Sequence, residues 1–451
     1  PGFLFSKPAI DTKDSYVLNN DFWNFGNKLL FSNNADQLVL WGRLVIIFLV
    51  ILLGVYVFKW ANELFGMKAG IFALFLFVFI PTVIGHAQLI STDVGLAVFF
   101  FISSYYFWKS LKQNKPKHKI IAGIFMGMAL GSKFSGVLLV PLFILLAFLF
   151  LNQENNRNLS KKLHNFARVI LPVFVIGFLI LWAIYFFPKD LSFYSSGLNL
   201  RYAEDANSDY PAYLNGNFKI GGWLYYFLEG FAIKTPIPFL IFLLWSLTLF
   251  KKHRITLLDN MCLLTPVVFL VVFTSLSAHN LGVRYLIPIY PFLAVYSSGI
   301  INLAGKKTQL AILAPLSIWY VFSSISAHPN QLAYFNEFVG GSDNGYKYLD
   351  DSNIEWGQDL KRMAEYQKDY PDTKVIYSWK NSSPEYYEIN SFMMAGDSGW
   401  WRELSGRYAV NTLLLIRMQL LSEQRDDPGL NWLALYEPID RIGQSFFVYE
   451  F

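Results

Sequence analysis

HAQLISTD, residues 86–93, is a short polar hinge between two long apolar runs. It puts a carboxylate, Asp93, at the mouth of a membrane-length segment, where an ionisable side chain is costly unless it faces a cavity or a partner. The competing reading is local: Asp93, with Ser91 and Thr92 beside it, supplies a capping oxygen to the helix that follows. Which reading holds depends on where the remaining charged groups fall.

Working outward from the hinge, ten apolar runs appear at 41–59, 69–85, 91–108, 118–132, 135–151, 169–187, 231–250, 257–277, 285–302 and 308–326. Most approach the roughly 20 residues that cross a bilayer, and the shorter ones can span by using their interfacial flanks. With 54% hydrophobic and only 15% charged residues, the expected fold is a polytopic α-helical membrane protein of about ten spans. The net charge of +5 is small and unevenly spread, so it reports orientation and points to no nucleic-acid partner. A single cysteine, Cys262, excludes an internal disulfide and a cysteine metal site. No GxxxxGK[ST] loop is present, the histidines are scattered, and Asp350 and Asp351 are adjacent, so their side chains diverge on either a helix or a strand. No metal site is expected, no cofactor is implied, and the need for a divalent cation stays open.

The connecting loops set the orientation. Lys109, Lys112, Lys115, Lys117 and Lys119 follow the third run; Arg157, Lys161, Lys162 and Arg168 follow the fifth; Lys251, Lys252 and Arg254 follow the seventh; Lys306 and Lys307 follow the ninth. All fall on one side of a ten-span chain, the side the positive-inside rule makes cytoplasmic. Residues 1–40, an outer-face loop with an interfacial helix at FWNFGNKLLF, then share the outer face with the hinge, the loop 188–230 and residues 328–451. An even span count with both ends outside leads to the expectation of an eleven-span protein whose first helix precedes Pro1. Beyond the membrane domain, 41–327, the composition turns soluble. QDLKRMAEYQKDY reads as a helix, TKVIYSW, YAVNTLLLIRM and QSFFVYEF as strands, and PEYYEINSFMM as a further helix, together an outer-face α/β domain.

On the outer face, which should be poor in cations, Lys133 ends the fourth run, Lys234 lies in KTPIP, and Arg284 opens RYLIPIYPF, with His279 just before it. One such residue is readily explained by snorkelling to head groups. Three cations beside Asp93, flanked by the helix-breaking Pro236, Pro238, Pro288 and Pro291, fit a cavity built for a phosphate-linked donor. Sugar transfer from a polyprenyl phosphate releases a phosphate whose growing charge Lys or Arg stabilises, and a carboxylate takes the acceptor's proton.

The blocks 86–95 (HAQLISTDVG), 127–141 (GMALGSKFSGVLLVP), 221–238 (GGWLYYFLEGFAIKTPIP), 284–292 (RYLIPIYPF) and 333–362 (AYFNEFVGGSDNGYKYLDDSNIEWGQDLKR) resemble, in order and over nearly the whole chain, bacterial GT-C membrane glycosyltransferases of the family 39 type. These are similar to protein O-mannosyltransferases and lipid A aminoarabinose transferases. The resemblance implies an outward-facing inverting enzyme of the bacterial inner membrane that uses a polyprenyl-phosphate sugar and a lipid, glycan or protein acceptor. It makes Asp93 the acidic catalytic candidate, and Lys133, Lys234 and Arg284 the donor-phosphate ligands. His86, His279, Tyr285, Asp351, Asn353 and Trp356 become candidates to touch substrate. One departure stands out: the acidic pair such families carry in the first outer loop has no counterpart in residues 1–40, where Asp11, Asp14 and Asp21 lack its context. The expectation is therefore that the main catalytic acid lies upstream of Pro1. The alternatives are a transporter or flippase of lipid-linked saccharides, which would more often show internal repeats and paired broken helices, and an assembly factor docking through the outer domain. Neither repeats nor paired breaks are legible in the sequence.

Overall fold

The computed structural model describes residues 8, 21–153, 159–206, 209–252, 255–277, 280–377, 384–390, 392–394 and 405–451. The chain divides into two compact units: a helical one, Ile46–Ala212 with Lys219–His328, and a mixed one, Pro1–Val45 with Tyr213–Phe218 and Pro329–Phe451.

The opening helices are α1 (Phe22–Phe31), capped by the Asp21 carboxylate on Asn24 N–H, and α2 (Ala35–Phe65). The helical unit continues with α3 (Met67–Val78), α4 (Pro81–Ala87), α5 (Thr92–Gln113), α6 (Pro116–Ser132), α7 (Leu139–Gln153), α8 (Leu159–Ile184), α9 (Ser192–Ala206), α10 (Tyr226–Lys234), α11 (Ile237–Thr248), α12 (Leu257–Ser275), α13 (Tyr290–Ser298) and α14 (Ala314–Ser326). Among the described residues six helical stretches are long and apolar enough to cross a membrane, up to eight if each bent pair is one span. The bent pairs are α3–α4, turning 65° before Pro81, and α10–α11, turning 114° at the Thr235–Pro236 break. Two of the ten runs fall on the shorter helices α6 and α14. Proline explains both bends, since it lacks an N–H and clashes with the preceding turn.

Burial separates centre from periphery. The apolar stretch of α5 is 83% buried, that of α2 only 22%, with Phe48 70% and Ile51 60% exposed. An apolar stripe that bare is what lipid covers. α5 packs on α6, and α6 on α8. Small residues at 123, 127 and 131 face α8, and a Cβ on Gly127 would come within 2.5 Å of the Gly177 carbonyl. The two backbones therefore touch in the small-xxx-small manner of membrane helices. This contact fixes the end of α6 that carries Lys133 as its C-cap residue.

The mixed unit is built on a five-stranded sheet of order β4-β3-β5-β7-β6, with β3 (Lys374–Tyr377), β4 (Phe392–Met394), β5 (Arg407–Asn411), β6 (Asp440–Ile442) and β7 (Phe446–Glu450). β3 runs parallel to β4 and β5, and β7 pairs antiparallel with β5 and β6. Side chains alternate between two cores: Val375, Tyr377, Ala409, Phe446 and Val448 meet Leu360 and Met363 of α15 (Leu360–Asp369). Ile376, Val410 and Phe447 meet Leu414 and Met418 of α16 (Thr412–Arg425).

Three expectations need correction. YAVNTLLLIRM is only partly a strand: β5 ends at Asn411 and TLLLIRM begins α16, because a run of Leu, which is not β-branched, has high helix propensity. PEYYEINSFMM is not a helix but a 3-10 turn, Pro384–Tyr387, then β4; Glu388 at φ 59° ends the turn in the left-handed region. The stretch 188–230 holds α9 and a hairpin, β1 (Ala212–Leu214) and β2 (Asn217–Lys219). At its tip Asn215 and Gly216 both have positive φ, 53° and 77°, the Asn-Gly signature of a tight hairpin turn. Within the mixed unit the tip is clasped: Asn215 N–H donates to the Tyr348 carbonyl at 3.0 Å and Gln419 Nε2 to the Gly216 carbonyl at 3.0 Å.

Candidate functional site

Asp93 is the second residue of α5. Ser91, in the N-cap position, makes no side-chain cap bond. The Asp93 carboxylate turns instead to Lys133, with Nζ to Oδ1 at 2.5 Å, and is 5% exposed against 22% for the lysine. The local capping reading of the hinge thus yields to a tertiary one. Placed in the first turn, the carboxylate also gains from the helix dipole.

The same ammonium lies 4.4 Å from the Tyr285 ring centroid, and the Arg284 guanidinium is 5.2 Å from that ring. Both belong to a 3-10 helix, Val283–Ile289, and Arg284 is partly exposed. His86, at the end of α4, is 1% exposed and feels the charges of Asp93, Lys234 and Arg284. Lys234 ends α10 and is fully buried. Asp93, Lys133, Tyr285 and Arg284 are thus joined by direct contacts, and His86 lies near enough to Asp93, Arg284 and Lys234 to feel them. His279 lies outside the described residues, as do Asp11, Asp14, Arg157 and Arg254. Asp351, Asn353 and Trp356 belong to the mixed unit. There Asn353 is buried with Nδ2 donating to the Asp350 carbonyl at 2.9 Å, and Trp356 Nε1 donates to the Ser352 carbonyl at 3.3 Å. Asp351 spends an oxygen on the Ser352 N–H at 2.6 Å.

Sequence reasoning missed the framework that holds the two breaks. Thr82 Oγ1 donates to the Lys234 carbonyl at 3.2 Å, its hydroxyl also engages Tyr290, and Thr235 Oγ1 lies 3.0 Å from Tyr290 Oη. It also missed the far end of α5, where Asp259 accepts from Trp108 Nε1 at 2.7 Å, Lys112 Nζ at 2.9 Å and Thr256 N–H at 2.9 Å. The signal for the latter was legible: Thr256 three residues before Asp259 is a capping box. Among the described residues no group of three His, Cys, Asp or Glu side chains is placed to hold a metal ion.

Among the described residues, long apolar helices and two bent apolar pairs support an integral membrane protein. Residues 28–182, the segment that carries His86, Asp93 and Lys133, match the family of dolichyl-phosphate-mannose-protein mannosyltransferases. That match supports the GT-C glycosyltransferase resemblance and, with it, a membrane glycosyltransferase. The chain is similar in structure to ArnT from Cupriavidus metallidurans bound to undecaprenyl phosphate, at 14% identity and a TM-score of 0.47, over 95% of this chain and 86% of that one. It is also similar to the apo oligosaccharyltransferase of Archaeoglobus fulgidus, at 14% identity and a TM-score of 0.42, over 82% of this chain and 55% of that one. No curated protein matches the chain in sequence.

Proposed function

We propose that the chain transfers a sugar from a polyprenyl-phosphate donor to an acceptor at the outer face of the bacterial inner membrane, inverting the anomeric centre. The observation that carries this reading is the Asp93–Lys133 pair, one cation of which is shared with the Tyr285 face beside Arg284. Lys133 and Arg284 are partly exposed and so available to phosphate oxygens, Arg as a fork and Lys as a point charge. Lys234 is wholly enclosed. Asp93 is the candidate base for the acceptor hydroxyl, its ionised form held by Lys133 until the acceptor arrives.

The test uses the purified full chain with undecaprenyl phosphate as probe. Saturable binding is expected, weakened about tenfold or more in Lys133→Ala or Arg284→Ala, as loss of a charge-assisted contact demands. Undiminished binding in both variants sinks the phosphate assignment. The two bent helix pairs favour one rival, a carrier for the intact lipid-linked sugar. Incubation with undecaprenyl phosphomannose in membranes that supply the acceptor separates the two, because an enzyme passes the mannose to the acceptor and liberates undecaprenyl phosphate, whereas a carrier leaves the lipid-linked sugar whole. The proposed placement of residues 328–451 on the outer face has its own check. The lone native cysteine, Cys262, is buried. A membrane-impermeant maleimide should label Leu435→Cys in intact cells and leave Lys115→Cys unlabelled; the reverse pattern inverts the topology.

A further inference from the structure

His86 carries a buried polar atom to which the geometry above gives no role. Its Nδ1 lies 2.8 Å from the Thr82 carbonyl, an atom that can only accept, so Nδ1 carries the proton. A ring so fully enclosed is neutral, since burying a charge is costly, and Nε2 then keeps its lone pair. The residue is 1% exposed, and Nε2 has no hydrogen-bond partner among the described residues. A buried acceptor in that state is rarely idle, because native folds leave few polar atoms unmade.

The charges around the ring restrict what can complete it. Arg284 is a cation and Asp93 a carboxylate paired with the Lys133 ammonium, and both, with the enclosed Lys234, lie near enough to act on the imidazole. A phosphate oxygen is an acceptor and is repelled by the Nε2 lone pair; its counterparts in this cluster are the cations. The missing partner must bring an O–H or N–H. Thr82 also spans to the other break, through the Lys234 carbonyl and Tyr290, so the ring is held by the same residue that fixes both bent helices. Its orientation is set by the framework before any ligand arrives, which is the condition for a positioning residue.

Resting on the donor proposed above, we infer that His86 Nε2 accepts a hydrogen bond from a hydroxyl of the donor's sugar, holding the sugar while the cations hold the phosphate. The cluster then reads two halves of one ligand with opposite hydrogen-bonding character. A buried water is the rival occupant and would give the protein no preference for the sugar.

Two substitutions separate the two ring nitrogens. His86→Asn keeps an N–H near the Nδ1 position for Thr82 and removes the distal acceptor. His86→Gln places an amide oxygen near the Nε2 position and gives up the Thr82 tether. The full-length chain is titrated with undecaprenyl phosphate and with undecaprenyl phosphomannose. Wild type should bind the mannosylated lipid about fivefold or more tightly, the worth of one hydrogen bond. His86→Asn should bring the two lipids within twofold of each other with undecaprenyl phosphate affinity unchanged, and His86→Gln should retain most of the preference. Equal binding of both lipids by wild type overturns the inference and leaves the donor-phosphate reading intact, as does a preference kept by His86→Asn and lost by His86→Gln, which would mark a purely structural tether. No binding of undecaprenyl phosphate by wild type overturns both.

Discussion

Two ion pairs sit at the two ends of α5, and they differ in how completely each acid is satisfied. Asp259, at the Lys112 end, accepts from an indole, an ammonium and the backbone of its own helix start. Asp93, at the other end, has Lys133 as its hydrogen-bonding partner among the described residues. The 19 residue steps from Asp93 to Lys112 rise about 28 Å, so the two pairs are separated by close to the roughly 30 Å of a hydrocarbon core. A carboxylate with every oxygen spent is a fastening. One held by a single cation, beside a buried histidine with a vacant acceptor, keeps capacity for a ligand.

The sharpest way to break this contrast is to neutralise both acids. Asp93→Asn should cost transfer about 10²-fold or more, the usual worth of a general base, with folding retained because Lys133 still reaches solvent. Wild-type transfer in that variant would sink the role given to Asp93. Asp259→Asn should do the opposite: transfer per folded molecule stays near wild type, and stability falls by about 1–2 kcal/mol as a charged cap and its lysine contact weaken. A thermal melt in detergent alongside the transfer assay reads both.

Between these two effects lies Gly127→Ala. Its Cβ would sit 2.5 Å from the Gly177 carbonyl, so α6 and α8 must part. Overpacking of this kind costs about 1–3 kcal/mol. Since α6 ends at Lys133, the loss should appear both in the melt and in undecaprenyl phosphate affinity. A variant that melts early yet binds normally would show that Lys133 is positioned by Asp93 alone.

The apolar runs marked the long helices that the described residues hold because a bilayer demands a long apolar signal, and the hinge at residues 86–93 showed because charge is costly there. The bend before Pro81 escaped notice although its proline stood in plain view, since a proline in an apolar run is equally a kink or a helix start. Thr82 escaped for a different reason. A threonine inside a helix carries no periodic or charge signal, and its use as a bridge between two breaks exists only in three dimensions. In the mixed unit the β3 and β7 runs were legible from their β-branched and aromatic residues, whereas TLLLIRM was assigned to a strand because a short apolar run has the same appearance in either state. The cluster itself was half legible: type and side could be argued for Asp93, Lys133, Lys234 and Arg284. Their pairing could not, because Lys133 is 40 residues from Asp93.

The smallest effect concerns a third acid, in the mixed unit, which tests whether a lone cation partner is by itself a sign of function. Asp350 is 1% exposed and paired with Arg417. Burial pushes its carboxyl up to about 7 even though the guanidinium opposes the shift. The native state therefore holds a proton that the unfolded chain has released at the same pH. Its contribution to stability is full below the ordinary carboxylate range near 4 and is lost as pH rises toward 7. Relative to Asp350→Asn, which has no proton to lose there, wild type should melt a few degrees higher at pH 5 than at pH 8, with transfer unaffected by the substitution. A flat difference between the two proteins across that window would mean that Arg417 keeps Asp350 ionised throughout. The distinction between the acids would then rest on what surrounds them, namely the buried histidine acceptor beside Asp93.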